Sequence, residues 1–577
     1  MQTSNQLTIG LNPKTNQEHL QQALSYLKTL QEATEGVSYY ECSFDADSGN
    51  EQVDRLCFVG ACHFFAHHST IDDLTFFMEV DPRYLAHQNL ESHLKQLLDN
   101  NNRLRRFGFY QSSESISDAT LAALSLGLIT NKSLTQLSIC HLPPDEDADE
   151  LVQEPAFIVQ DGYLPLAAAL IRNSTLLHLN LERGGINISN VYYLVEAFSR
   201  NYTLTTINIA RNDIEVKPLT AIVKSLMTNR ALTSLNLSDQ TCYFTEIDEV
   251  PFEVEAELTR SLGELASRPG VQYLNLSQLP IGRTLGNLFA PILLHALPGR
   301  GPLLSLYFEF MIINDANMRL LVVLLNLNKI QDLFLFHTKL SSASYLALLS
   351  VMENNTALSA ASLSEPEPDE NTEDVKLALA RMIAYNRSLT SLKVAFEKST
   401  EEKWLMLIEA LKLNPTLTSL GLYNLNLDNV ITRRVITEDI KKLFERNHSL
   451  CYTYADISTT AINLPLYTAY LRRNRAIEKN KFLQNFLKIL VRFTLESDKK
   501  RYEERALMPY FHARSLPRVF RLLPDEFPNR VRTKQAQDCI LRFQNRIGGD
   551  PTEVTQFFSS KRKLNSLFQR SVGKNNR

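Results

Sequence analysis

Six stretches of this chain are versions of one phrase: NKSLTQLSI, NSTLLHLNL, NYTLTTINI, NRALTSLNL, NRSLTSLKV and NPTLTSLGL. A chain that repeats itself at a fixed period builds its core by stacking copies, so it folds into an array in which each unit meets mainly its neighbours. With the first apolar residue of the LxxLxL core as marker, the series runs Leu104, Leu134, Leu176, Leu204, Leu232, Val271, Leu303, Ile330, Leu358, Leu389 and Leu417, with a degenerate twelfth at Leu450. The intervals are 30, 42, 28, 28, 39, 32, 27, 28, 31, 28 and 33 residues, so the underlying period is about 28. The two longest contain HLPPDEDADELVQEP (141–155) and TCYFTEIDEVPFEV (241–254), acidic and turn-rich, which read as loops inserted on one rim.

Between markers the apolar period changes from 2 to 3.6, as in VYYLVEAFSRN (Val191 to Asn201), LTAIVKSLMTN (Leu219 to Asn229) and WLMLIEALKLN (Trp404 to Asn414). Each copy therefore reads as a strand followed by a helix. In the fullest copy, Leu204-x-x-Ile207-x-Ile209-x-x-Asn212-x-Ile214, Asn212 stands where a buried amide would bond the backbone leaving the strand. Other copies place Gly184, Thr338 or Leu425 there, so no continuous asparagine ladder is expected at that position.

These residues resemble the leucine-rich repeats, specifically the ribonuclease-inhibitor-like subclass with long helical repeats, also found in tropomodulin-like and innate-receptor proteins. The resemblance covers roughly Leu85 to Arg475, with eleven copies in register. The NxTLTxL phrasing also resembles leucine-rich-repeat effectors that intracellular bacteria such as Legionella inject into host cells. What the resemblance implies is an α/β solenoid: a horseshoe with parallel strands on the concave face, helices on the convex face and a partner protein in the concavity. The effector likeness implies an adaptor that reaches the host cytoplasm without a classical signal peptide and acts on a host protein.

The chain falls into three regions. Residues 1–82 read as an N-terminal cap with irregular first repeats, from an amphipathic segment (Asn16 to Ala33) and alternating stretches around Val37 to Phe44, Val53 to Phe58 and Ile71 to Phe76. Residues 83–465 are the array. Residues 466–577 read as a basic α-helical C-terminal domain, with 25 Lys and Arg against 10 Asp and Glu, a net +15. The rest carries 35 against 54, a net −19, and the two together make the chain's −4. Such asymmetry suits a contact between Arg472, Arg473, Lys479, Lys481, Lys561, Arg562 and Lys563 and something acidic: an anionic membrane face, RNA or an acidic protein. It equally suits a tail that packs on its own acidic repeats.

The first twenty residues have neither the basic start nor the apolar run of a secretory signal, and no stretch approaches the ~18 apolar residues of a membrane helix. Seven scattered cysteines argue for reduced thiols and a cytosolic setting. Cys57, Cys62, His63, His67 and His68 approach a metal-ligand set, but no CxxC pair accompanies them and Phe58, Phe64 and Phe65 mark the stretch as core. Some bacterial leucine-rich effectors carry a C-terminal ubiquitin-ligase domain with a nucleophile in a Cys-x-Asp setting. The cysteine here is Cys539 in QDCILRF, with Leu541 where the acid belongs. An effector enzyme with its activity in residues 466–577 remains the alternative to an adaptor. No catalytic residue, metal, cofactor or small-molecule substrate is assigned.

Strand geometry then places side chains: in LxxLxL, positions one, four and six point inward and three, five and seven into the concavity. Leu137, Leu179, Ile207, Leu235, Leu274, Leu333, Leu392 and Leu420 should be core. The early copies display small polar residues, such as Gln136, Ser138, Asn180, Asn208 and Ser234. Later ones display Tyr273, Tyr307, Glu309, Phe334, Phe336 and Tyr423, with Phe310, His337 and Phe396 just past the strand ends. Strands lie about 4.8 Å apart, so Tyr307 and Phe334 should be adjacent, and these nine residues are the expected partner-binding site.

Overall fold

A computed structural model describes most of residues 39–423 and 439–455, together with residues 6–7 and 474. The expected helix Asn16 to Ala33, most of both inserted loops, Cys539 and the whole basic residue set of the tail lie outside the described residues. The chain divides into two compact units, Met1–Tyr467 and Thr468–Arg577, and every strand named here belongs to the first.

The strands of that first unit run parallel, in sequence order, in a single sheet. They are β1 (Gln6–Leu7), β2 (Tyr39–Phe44), β3 (Asp73–Met78), β4 (Arg106–Gln111) and β5 (Gln136–His141). Five short ones come next: β6 (His178–Asn180), β7 (Thr206–Asn208), β8 (Ser234–Asn236), β9 (Tyr273–Asn275) and β10 (Leu304–Tyr307). Last come β11 (Ile330–Leu335), β12 (Ala360–Ser364), β13 (Ser391–Ala395), β14 (Ser419–Tyr423) and β15 (Tyr452–Ala455). From β2 to β14 a helix lies between consecutive strands, for example Val191–Arg200, Ser342–Asn354 and Glu401–Leu413, so the unit is an α/β repeat solenoid. Parallel strands joined this way have no hairpins, and each connection spends its helix covering the same side of the sheet.

The inward positions form one continuous apolar layer. Leu137, Leu179, Ile207, Leu235, Leu274, Leu333, Leu392 and Leu420 are aligned across the strands and none is more than 4% exposed. Polar residues alternate with them on the short strands, the pattern a sheet buried on one side imposes.

Two local expectations are corrected. Val53 to Phe58 lies within the helix Glu51–Ala66 and is not a strand, so Cys57 also sits on a helix. Phe252 to Val254 belongs to the first turn of the helix Phe252–Ala266, where Glu253 and Glu255 suit the positive end of the helix dipole, so the second insertion is shorter than its sequence implied. In the seventh copy Leu306 and Tyr307 pair with Leu333 and Phe334 at the spacing the markers give, and a register shift between Leu304 and Ser305 sets Leu304 opposite Ile330. The expected marker Leu303 lies outside the described residues. Strands β2 and β3, at Tyr39–Phe44 and Asp73–Met78, join the same sheet.

Asn212 does what its position suggests: its amide nitrogen donates to the carbonyls of Leu181, Ile209 and Ala210, and its oxygen accepts from the Ile186 amide. Gln240 and Thr338 answer the same need one and four strands on, donating to Ile209 and Leu237 and to Phe308. A second asparagine series, unassigned from sequence, sits at the other end of the strands. Asn101, Asn131, Asn173, Asn201, Asn229, Asn355, Asn386, Asn414 and Asn447 each donate to a backbone carbonyl of the preceding repeat. Most also accept from two amides of the turn entering their own strand; Asn131, for example, takes those of Ser133 at 2.9 Å and Leu134 at 2.7 Å. The series pauses between Asn229 and Asn355. There the Arg268 guanidinium reaches the carbonyls of Leu226 and Asn229 instead.

Candidate functional site

On the open side of the sheet, the side away from the inward leucines, the fifth positions form a row across neighbouring strands. It runs Ser138, Asn180, Asn208, Asn236, Asn275, Tyr307, Phe334, Ser362, Lys393 and Gly421. The asparagines turn their oxygens back to the backbone, to the amides of Glu182, Ala210, Ser238 and Ser277 in order, so that half of the row is polar and internally occupied. At β10 the row turns aromatic.

Tyr307 and Phe334 stack with ring centroids 4.1 Å apart and planes 11° from parallel. Tyr273 leans on Tyr307 at 5.0 Å. Farther along the strands, Phe336, Ser364, Ala395 and Tyr423 share one row, because Leu335 pairs with Leu363, Ser364 with Ala395 and Ala395 with Tyr423. The two large rings lean over the two small residues between them and meet edge to face at 4.8 Å. Phe310 stacks on His337 at 4.7 Å, and His337 also meets Phe336 at 4.4 Å. Eight of the nine expected residues thus form one patch.

Phe396 is the exception: it is 1% exposed and belongs to the core, beneath the Lys403 ammonium. The physical reason lies in the backbone at the eighth position of each repeat, counted from its marker and just past the strand. Arg183, Arg211, Asp239, Gln278, Phe310 and His337 occupy that position with φ between 53° and 62°, a left-handed turn that throws the side chain out onto the rim. Phe396 is not among the positive-φ residues, its amide continues the ladder to the Tyr423 carbonyl, and strand alternation carries its ring inward.

Within the patch sits one carboxylate. Glu309 is aligned with Phe336 through the ladder bonds from Phe308 to Phe334 and from Phe310 to Phe336. Its side chain reaches Ser362, two strands away on the row of Phe334, so it crosses β11 between Phe334 and Phe336. Burial raises its pKa above the usual carboxylate range, against the lowering effects of the Ser362 hydroxyl, Lys393 and His337. Burial also raises Tyr307 and Tyr273, which remain neutral phenols. Nearby Asp332 is served quite differently, accepting from the Ser305 and Ser359 hydroxyls at 2.6 Å each.

Other chemistry is scarce. His63 and His67 are exposed, stacked at 4.8 Å, and the His67 ring bonds the His63 carbonyl; among the described residues no group of three His, Cys, Asp or Glu is placed to hold a metal. Cys42, Cys62 and Cys140 are buried. Burial pushes the Cys140 thiol up to about 12 and raises Cys62 as well, so neither is a thiolate near neutrality. In the folded chain at about pH 8 both should therefore resist alkylation by iodoacetamide. Labelling of either at the rate of a free thiol would contradict this. Among the described residues no helix is long and apolar enough to cross a membrane.

No family model matches this chain, and no curated protein matches it. Solved structures do. The leiomodin-1 actin-binding site 2 is 21% identical, with 29% of this chain and 95% of that chain covered and a TM-score of 0.26. The yeast complex of Rad7 and Elc1 gives 13% identity over 78% of this chain and 90% of that chain, with a TM-score of 0.38. The Caenorhabditis elegans tropomodulin C-terminal domain gives 14% over 24% and 81%, with a TM-score of 0.19.

Proposed function

We propose that this chain is a non-enzymatic protein-binding module that holds its partner on the aromatic patch of the open sheet face. The observation that carries the reading is the grouping of Tyr273, Tyr307, Phe334, Phe336 and Tyr423 on four strands, half-buried and in ring contact with one another rather than covered by another element among the described residues. Accessible aromatic surface gathered this way is the usual material of an interface centre, where Tyr and Trp dominate binding energy. The polar, internally bonded half of the face then serves as rim. Buried reduced cysteines support a cytosolic setting. Parallel capture from cell lysate by the wild-type chain and by the Tyr307→Ala/Phe334→Ala variant tests the reading. A partner retained equally by both would sink it.

Action as an injected bacterial effector on a host protein is the narrower form of this proposal, supported by the NxTLTxL phrasing. A partner found only in lysates of a eukaryotic host would agree with it, and one from a bacterial lysate would not.

The basic residues 466–577 form a second proposed contact, with an acidic partner or surface. Exposed charges are screened beyond about 8–10 Å at physiological ionic strength, so binding through Arg472, Arg473, Lys479, Lys481, Lys561, Arg562 and Lys563 should weaken steeply as salt is raised. Vesicles of anionic lipid, a mixed-sequence RNA and an acidic peptide, titrated at two salt concentrations, distinguish the candidates. Salt-independent binding of all three would remove the proposal.

A further inference from the structure

We infer that the Glu309 carboxylate, set between Phe334 and Phe336, receives a lysine or arginine side chain from the protein bound on this face. This deepens the protein-binding reading of the same patch and rests on it.

An arriving partner changes the surroundings of this carboxylate first. Glu309 is already half-buried, and among the described residues its carboxylate accepts one side-chain hydrogen bond, a long one of 3.3 Å from Ser362. The basic groups of this chain that act on it, Lys393 and His337, do so through space without an ion pair. Any protein that covers the rings also removes the remaining water from this carboxylate. A carboxylate that loses its remaining water while holding one long hydrogen bond and no ion-paired counter-charge is destabilised, so a purely apolar anchor is disfavoured here. A cation is welcome twice over: by the carboxylate directly, and by the faces of the rings beside it, which attract an ammonium or guanidinium within about 6 Å of their centroids. Asp332 shows that the contrast is specific. Two serines satisfy it from neighbouring strands, and it presents no comparable vacancy for charge. The excess of acidic residues outside the tail, 54 against 35 basic, favours the same sign of partner at longer range.

The experiment selects from a displayed library of random dodecapeptides on the full chain, with counter-selection on the Tyr307→Ala/Phe334→Ala variant. Enriched peptides should share one Lys or Arg. Replacing that Arg with citrulline, which keeps the shape and loses the charge, should weaken binding by about tenfold or more. Glu309→Gln should weaken the Arg peptide by the same factor and leave the citrulline peptide unchanged. If the enriched peptides share no cation, or if Glu309→Gln is silent while the aromatic pair still abolishes binding, the cation assignment is overturned and the protein-binding patch stands. If nothing enriched depends on Tyr307 and Phe334, both fail. An array of overlapping peptides from residues 466–577 is read alongside. A tail peptide that binds in a Glu309-dependent way would make the occupant this chain's own basic segment and overturn the assignment to a separate protein.

Discussion

Changing Tyr307 and Phe334 together to Ala should weaken capture of the partner at least about thirtyfold, because an aromatic ring at an interface centre contributes about 2 kcal/mol or more and each 1.4 kcal/mol is tenfold. The two rings form the closest and most nearly parallel stack on the face, so removing both deletes the flat surface on which a partner would sit. Tyr273 would also lose the ring it leans on, so its own contribution falls with theirs. Neither ring belongs to the inward layer; Leu306, Leu333 and Leu335 behind them stay in place, and the variant should unfold at nearly the wild-type denaturant concentration. Ser138→Ala or Ser234→Ala, on the polar half of the face, should change affinity little. Cys539→Ala is the opposite control and should leave binding and cellular effect untouched. If the cysteine change abolishes the cellular effect while the aromatic pair is silent, the chain is an enzyme and the adaptor reading is wrong.

How much of this was legible before the structure depends on which periodicity governs each residue. The alternation of two placed Leu137, Leu333 and Leu392 in the core and Tyr307 beside Phe334, since register across parallel strands follows from the repeat spacing alone. The meeting of Phe336 with Tyr423 was not legible, although both were assigned to the face. They are three strands apart and touch only because Ser364 and Ala395 between them are small. Phe396 was misplaced because alternation and the left-handed turn make opposite assignments at the eighth position of the repeat, and no signal in AFEKST distinguishes it from YFEFM around Phe310. The stretch RLCFVGACHFFA satisfies a strand pattern in its first half and becomes a helix because the apolar run continues beyond strand length. The asparagine that opens each repeated phrase stood in the sequence without an assigned role. Its role depends on carbonyls of the preceding repeat, about 30 residues earlier, which spacing within one copy does not reveal.

Asn386→Ala should cost about 3–5 kcal/mol, a large fraction of the ~5–15 kcal/mol that holds a folded unit together. The side chain is fully buried. Its nitrogen donates to the Met352 carbonyl at 2.6 Å, and its oxygen accepts from the Ser388 amide at 2.9 Å and the Leu389 amide at 2.7 Å. Alanine leaves the amides of Ser388 and buried Leu389 without their acceptor and the Met352 carbonyl with only the Asn355 amide at 3.3 Å, and each orphaned buried group costs about 1–3 kcal/mol. The loss should also spread, because the Asn386 carbonyl in turn accepts from Asn414, whose own carbonyl accepts from Asn447 at 3.1 Å, so the clasp couples one repeat to the next. Chemical denaturation of the full chain should show a lowered midpoint, and hydrogen exchange should show the Leu389 amide losing protection before those of β4 and β5, which lie on the other side of the break in the series. Tyr385→Ala, one residue earlier and 57% exposed, should stay within about 0.5 kcal/mol of wild type. An Asn386→Ala chain as stable as the Tyr385→Ala control would mean that the turn rearranges to satisfy itself, and the series would then be ornament rather than the clasp that joins the repeats.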